Sequence, residues 1–464
     1  MKFTSALLTA GLLFSGATTA LAQGGISSEM MVQIKASYAN NATDKALRNA
    51  IGGTEINVLA INQDNLKAMD TRFTYEVKSK GITDQKSSGR CWLFTGLNVL
   101  RSQAMKEHNL AKLEFSQAYN YFYDQLEKAN LFLQKVVDTR LSPMDDKMVD
   151  WLFRNPLSDG GQFTGVSDLI EKYGVVPNEV MPETYSTNHT RTIAMLVSTK
   201  LREQGLELRK MPKNAKPQQI EAKKTEMLGV IYRMLALAFG EPVEHFTWTR
   251  VDAAGKVVDT REYTPQSFYK EYLGNDLTHN YVMLMNDPTR EYYKLYTIDC
   301  DRHVYDGRDW TYINLPIEQI KTCGIESLKN NVMMYFSCDV GKFLDRKRGL
   351  LDLNNFDYES LMGTTFGMNK TERVMTHASG SSHAMTMMAV DLDEAGKPTK
   401  WMVENSWGAN NGYKGHLIMT DEWFNEYMFR LVVEKRFVSE EILKILEQKP
   451  IVLPAWDPMF ADEE

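Results

Sequence analysis

A thiol that attacks carbonyls needs a base to move its proton, a group to orient that base, and hydrogen-bond donors for the oxyanion that forms. The stretch Gln85-Lys86-Ser87-Ser88-Gly89-Arg90-Cys91-Trp92-Leu93-Phe94 contains the thiol and one such donor. Ser87, Ser88 and Gly89 suit a loop and helix cap, after which Phe94, Leu97, Leu100 and Ala104 recur roughly every three to four residues. The pattern predicts a helix that Cys91 opens. A thiol there feels unpaired backbone N–H groups and the positive end of the helix dipole, which favour the nucleophilic thiolate. Gln85, six residues earlier, offers a side-chain amide to an oxyanion. An isolated cysteine is more often a small buried hydrophobe, so the reading depends on a base elsewhere in the chain.

His383 heads the apolar run Ala384 to Val390, and a second run, Lys400 to Glu404, ends at Asn405. Between them Asp391-Leu392-Asp393-Glu394-Ala395-Gly396-Lys397 has turn composition. A hairpin centred on Glu394 places His383 across from Asn405. The Asn amide then accepts the ring N–H, fixes the tautomer and aims the other nitrogen at a thiol. Trp407 covers that bond from water and is assigned to the substrate site. His377 is the rival base, but it falls in a polar loop, whereas His383 begins a strand in register with Asn405.

Other elements must position these groups. A mixed, polar N-terminal arm (23–70) holds one predicted helix near Ser27 to Tyr38, and Phe73 to Val77 reads as a short strand. Ser116 to Val137 reads as an aromatic-rich core helix, and Gly165 to Tyr173 as another. Between them Gly160 and Gly161 either turn the chain or, lacking Cβ atoms, let an extended peptide lie against bare backbone. A helical insertion is expected around 188–245; its lysines Lys210, Lys213, Lys216, Lys223 and Lys224 form a solvated face or meet an acidic partner. Asp252-Ala253-Ala254-Gly255 reads as a hairpin turn, and Asn331 to Gly341 as a buried strand containing a structural Cys338.

With 464 residues, 43% apolar and 24% charged, the composition is that of an ordinary globular protein. A formal charge of −7 excludes a nucleic-acid binder driven by overall phosphate neutralisation. Four cysteines, Cys91, Cys300, Cys323 and Cys338, are too few for a disulfide scaffold, and no metal-binding spacing occurs. Residues Met1 to Ala22 have a basic start, an apolar run and Ala20-Leu21-Ala22, the pattern of a cleaved secretory signal; an exported protein without a membrane anchor is expected.

With Cys91, His383, Asn405 and Gln85 in place, the chain resembles the papain superfamily of cysteine peptidases. Arg90 directly before Cys91, and a His and Asn 292 and 314 residues downstream, depart from the papain signature. They match the bleomycin hydrolase and aminopeptidase C branch. That branch is similar at Ser88-Gly89-Arg90-Cys91-Trp92, Asp159-Gly160-Gly161-Gln162, Cys338-Asp339-Val340-Gly341-Lys342, His383-Ala384-Met385, Val403-Glu404-Asn405-Ser406-Trp407-Gly408, Met419-Thr420-Asp421-Glu422-Trp423-Phe424 and Trp456-Asp457-Pro458-Met459.

The resemblance implies an α+β, papain-like fold over 71–464, with a helical lobe carrying Cys91, a β-barrel-like lobe carrying His383 and Asn405, and large helical insertions. It implies a cysteine aminopeptidase acting on peptides without a cofactor. A homohexamer is implied, as is a C-terminal arm (450–464) whose final carboxylate, here Glu464, binds the substrate's free amine. Members of this branch are generally cytoplasmic, which the signal-like segment departs from. Rival readings are a secreted endopeptidase of the same superfamily, a non-catalytic binding protein on this scaffold, and a transglutaminase-like acyl transferase.

Overall fold

The computed structural model describes residues 24–459 apart from 68, 79 and 275, so the expected signal segment and Glu464 lie outside the described residues. The described residues divide into two compact units, one formed by 24–61 with 357–364 and the other by the remainder. Where one helix was expected, the described part of the first unit has the helices Ser28–Ala36, Ala42–Gly53, Ile56–Leu59 and Tyr358–Met362. Ser27 caps the first, and Asn41 with Asp44 forms a capping box on the second. The late segment joins through Asp357 N–H donating to Ala60 O (2.7 Å) and Tyr358 OH to Asn57 Oδ1 (2.9 Å).

The larger unit is α+β and papain-like, with two hydrophobic cores. One gathers the helices Cys91–Glu107, Gln117–Asp138, Phe163–Tyr173, Arg191–Lys210 and Pro217–Phe239. Apolar residues on nearly every side of Cys91–Glu107 make it a buried helix, so its apolar period is blurred rather than one-sided. The two insertion helices pack back through Lys224, whose ammonium donates to Gln134 Oε1 (2.8 Å). Lys223 and Lys224 are met by Glu207, Glu226 and Glu221 of the same insertion. The hairpin Phe246–Val251 with Val257–Tyr263 turns at the predicted Asp252 to Gly255.

The second core lines a mixed sheet, twelve-stranded among the described residues. His383–Leu392 lies inside it, between Met334–Cys338 and Pro398–Glu404, and its first eight residues are all buried. A strand covered on both faces reads as a continuous apolar run, which is why Ala384 to Val390 shows no alternation. Among the described residues no helix is long and apolar enough to cross a membrane.

Candidate active site

Cys91 is fully buried and is the first residue of its helix; Arg90, at the cap position, supplies no side-chain cap. Nothing from a cap side chain therefore neutralises the positive helix end beside the sulfur. This departs from the expectation that the segment Ser87 to Gly89 supplies the helix cap. Ser88 stands too early to reach the first turn, and its hydroxyl instead donates to Gln85 O (2.6 Å) and accepts from Arg90 Nε (3.0 Å).

Arg90, also fully buried, forks onto both carboxylate oxygens of Glu183 (3.0 and 2.8 Å) and lies against the rings of Phe94 and Tyr121. Asp159 braces the same loop from the other side. Its carboxylate accepts from Gly89 N–H (3.3 Å), Tyr121 OH (3.1 Å) and the Thr190 hydroxyl, and its carbonyl accepts from Trp92 Nε1 (2.8 Å). Burial, and then the Asp159 carboxylate beside it, pushes the Tyr121 phenol well above its ordinary value, so it stays a neutral donor.

Gln85 is buried with its amide held at both ends: Nε2 donates to Ser88 O (2.7 Å) and Oε1 accepts from Ser406 Oγ (2.6 Å). One of the two Nε2 hydrogens remains for another acceptor. Its own N–H donates to Ser406 O (2.8 Å), tying the nucleophile loop to the segment after Asn405.

On the sheet side, His383 Nε2 donates to Asn405 Oδ1 (2.8 Å), which also accepts Ser406 N–H (2.8 Å). That fixes the amide and the orientation of the ring, with Nε2 on the Asn405 side. The next residue, Ala384, donates its N–H to Cys91 Sγ (3.5 Å), so the head of the base strand touches the thiol. Trp407 stacks on the His383 ring (centroids 4.9 Å apart, planes at 30°). His377 is exposed.

The hairpin register differs from expectation. Asp393 N–H bonds Lys397 O and Gly396, at φ +78°, accepts the left-handed turn, so the loop centres on Ala395, not Glu394. Thr386 then pairs with Glu404, and the strands slide by two positions. At the Thr386–Glu404 end the slide is even, so side chains there keep their face, while bulges between Met387 and Ala389 and between Asp391 and Leu392 shift the stretch between them by one residue. Asn405 reaches His383 by its side chain just past the ladder's end.

Gly160 and Gly161 are buried, and Gly161 lies against Trp92. A Cβ on Gly161 would overlap the ring of His303, so one reason for glycine here is a protein neighbour. Among the described residues, the Gly161 N–H and C=O make no hydrogen bond. Lys128 Nζ holds the carbonyls of Gly160 (2.5 Å) and Ser158 (3.0 Å).

None of the four cysteines is in a disulfide. Burial pushes the Cys300 and Cys323 thiols up to about 11, so both stay protonated and inert. Sequence reasoning missed Glu183 and His303 as neighbours of the site, and it gave Ser406 a place in the Asn405 segment without its bond to Gln85. The unusual Arg90 before Cys91 was the one signal that a buried acid must exist elsewhere; nothing marked His303.

The sequence signature of the Peptidase C1-like family matches residues 25–460. The chain is 42% identical to bleomycin hydrolase of Homo sapiens over 393 residues, covering 83% of this chain and 86% of the human protein. It is 39% identical to aminopeptidase C of Lactobacillus delbrueckii subsp. lactis, covering 85% and 88% of the two chains. A crystal structure of PepW from Lactobacillus rhamnosis superposes with a TM-score of 0.91 at 38% identity, over 95% of this chain and 99% of that one.

These relatives correct the expectation of export. They are the branch whose members the resemblance describes as generally cytoplasmic. The expectation of an exported protein is overturned.

Proposed function

This chain belongs to the Peptidase C1-like family of cysteine peptidases, and from that premise we propose that it is a peptide-cleaving cysteine aminopeptidase working through Cys91, His383, Asn405 and Gln85. The observation that carries the reading is the contact set at the thiol: Ala384 N–H on Cys91 Sγ, with His383 locked by Asn405 at 2.8 Å. The Cys91 thiolate, paired with the His383 imidazolium at Nδ1, attacks the first peptide carbonyl. The oxyanion takes the remaining Gln85 N–H and the Cys91 main-chain N–H. His383 gives its proton to the leaving amine, then draws one from water as the acyl-enzyme hydrolyses. The N–H and C=O of Gly161 are placed to pair with the substrate main chain, and Trp407 shields the His383–Asn405 bond at the border of the cleft.

The aminopeptidase character assigns the acidic end of the arm, Glu464 included, to the substrate ammonium. Supporting that role, the arm is anchored as far as it is described: Ile451–Leu453 joins the sheet beside Lys294–Ile298, Asp457 meets Arg290 (2.6 Å), and Arg430 donates to Met459 O (2.8 Å). A homohexameric assembly belongs to the same proposal. The test is hydrolysis, under reducing conditions, of two fluorogenic peptides differing only in a free or acetylated N-terminus, with Cys91→Ala as control. Cleavage confined to the free amine and lost in the control is expected. Cleavage of the acetylated peptide would replace the gated aminopeptidase with an endopeptidase, and equal activity in Cys91→Ala would end the thiol mechanism.

A further inference from the structure

Beneath Gly161 lies a buried ion pair that the proposed chemistry does not use. Asp124, completely buried on the helix Gln117–Asp138, accepts from His303 Nδ1 (2.5 Å) and from Lys128 Nζ (3.1 Å). Burial pushes the Asp124 carboxyl up, and the charges of Lys128 and His303 outweigh it and hold it below its ordinary value. A buried carboxylate persists only where its oxygens are bonded; Gln125 Nε2 also donates to Asp124 Oδ2 (3.1 Å), so both oxygens are met.

The His303 ring is a wedge. It meets the Trp92 indole edge-on (centroids 4.6 Å apart), and it fills the space where Gly161 and Gly165 would carry Cβ atoms. Trp92 follows the nucleophile, and its indole N–H is bonded to Asp159 O. Lys128, the second cation on Asp124, lies over the Trp92 ring (5.4 Å) and holds Gly160 O. Contacts of the pair thus reach Trp92, the carbonyls of Ser158 and Gly160, and the glycines Gly161 and Gly165.

We propose that Asp124 and His303 form a positioning device: the wedge sets the height of the 159–161 main chain against the nucleophile's helix, and so sets how tightly an extended peptide is held. The proposal deepens the peptidase reading and rests on it for its substrate. A main chain displaced by about 1 Å no longer presents Gly161 to the substrate, while the thiol, its base and Gln85 keep their own contacts.

The test is hydrogen exchange over 159–162 together with the split of KM against kcat, in His303→Leu and Asp124→Asn. Expected are exchange over 159–162 accelerated about 10-fold, with the helix Cys91–Glu107 unchanged, a KM raised about 10-fold, and a kcat within about 3-fold of the parent. Lys128→Met, which removes the hold on Gly160 and Ser158, the cation over Trp92 and one partner of Asp124 but leaves the His303 wedge in place, is expected to move both readouts the same way by less. It keeps the proposal testable if His303→Leu does not fold. Unchanged exchange over 159–162, equal acceleration along Cys91–Glu107, or a loss confined to kcat would overturn the device. If the parent shows no Cys91-dependent hydrolysis, the peptidase reading fails, and the exchange comparison still decides the positioning.

Discussion

The two sides of the candidate site are held by different physics. On the helical side, Gln85 sits in the loop that leads into the helix opened by Cys91, and this segment is tied to distant ones by polar contacts: Arg90 to Glu183, Gly89 and Trp92 to Asp159, and Gln85 to Ser406. On the sheet side, His383 is placed chiefly by main-chain pairing with Met334–Cys338, aided by one side-chain bond to Asn405 and the Trp407 ring. A loop has no ladder of its own, so its shape must be imposed by buried, fully bonded side chains; a central strand inherits its position from the sheet. The nucleophile's surroundings should therefore be sensitive to single polar deletions in stability. The base's surroundings should be sensitive in rate alone.

The largest effect expected on this contrast is from Gln85→Ala. It removes an oxyanion donor and a strap of the loop together, and kcat should fall about 10²–10³-fold, read by steady-state kinetics; a change below about 3-fold would remove Gln85 from the chemistry. Asn405→Ala frees the imidazole to rotate and should lower kcat about 10²-fold, with the melting temperature within a degree or two of the parent. A large drop in melting temperature would break the comparison, because the sheet side would then depend on its side chains too. Glu183→Gln leaves the buried Arg90 with half its fork and should cost about 2 kcal/mol in chemical denaturation, while kcat changes little once the protein is folded. Stability equal to the parent would show that the loop is held elsewhere. Ser406→Ala releases the Gln85 carbonyl so the amide can flip, and should lower kcat/KM about 10-fold, the smallest change of the four.

What was legible in the chain follows the range of the interactions. Cys91 opening a helix, Ser116 to Val137 as a helix, and the turn at Asp252 to Gly255 rest on period and turn chemistry within a few residues, and those are visible locally. The hairpin that pairs His383 with the Asn405 segment was readable as a hairpin, yet its centre was displaced to Ala395. Turn composition around Asp393 to Lys397 fits two loop centres, and only the observed bond between Asp393 and Lys397 chooses one. The cap expected from Ser87 to Gly89 was wrong for a related reason: Ser88 finds Gln85 and Arg90, partners that compete with the helix end.

By itself the sequence determined the residue types of the candidate site, the family and the local elements around them, because periodicity, turn residues and motif spacing are properties of neighbours along the chain. The tertiary structure decided which groups meet across that order: Glu183 beneath Arg90, Ser406 on the Gln85 amide, and His303 between Trp92 and Gly161. Those contacts join segments far apart in the chain. Their energies depend on burial and on bonding at atomic distances, which exist only once the two cores have packed.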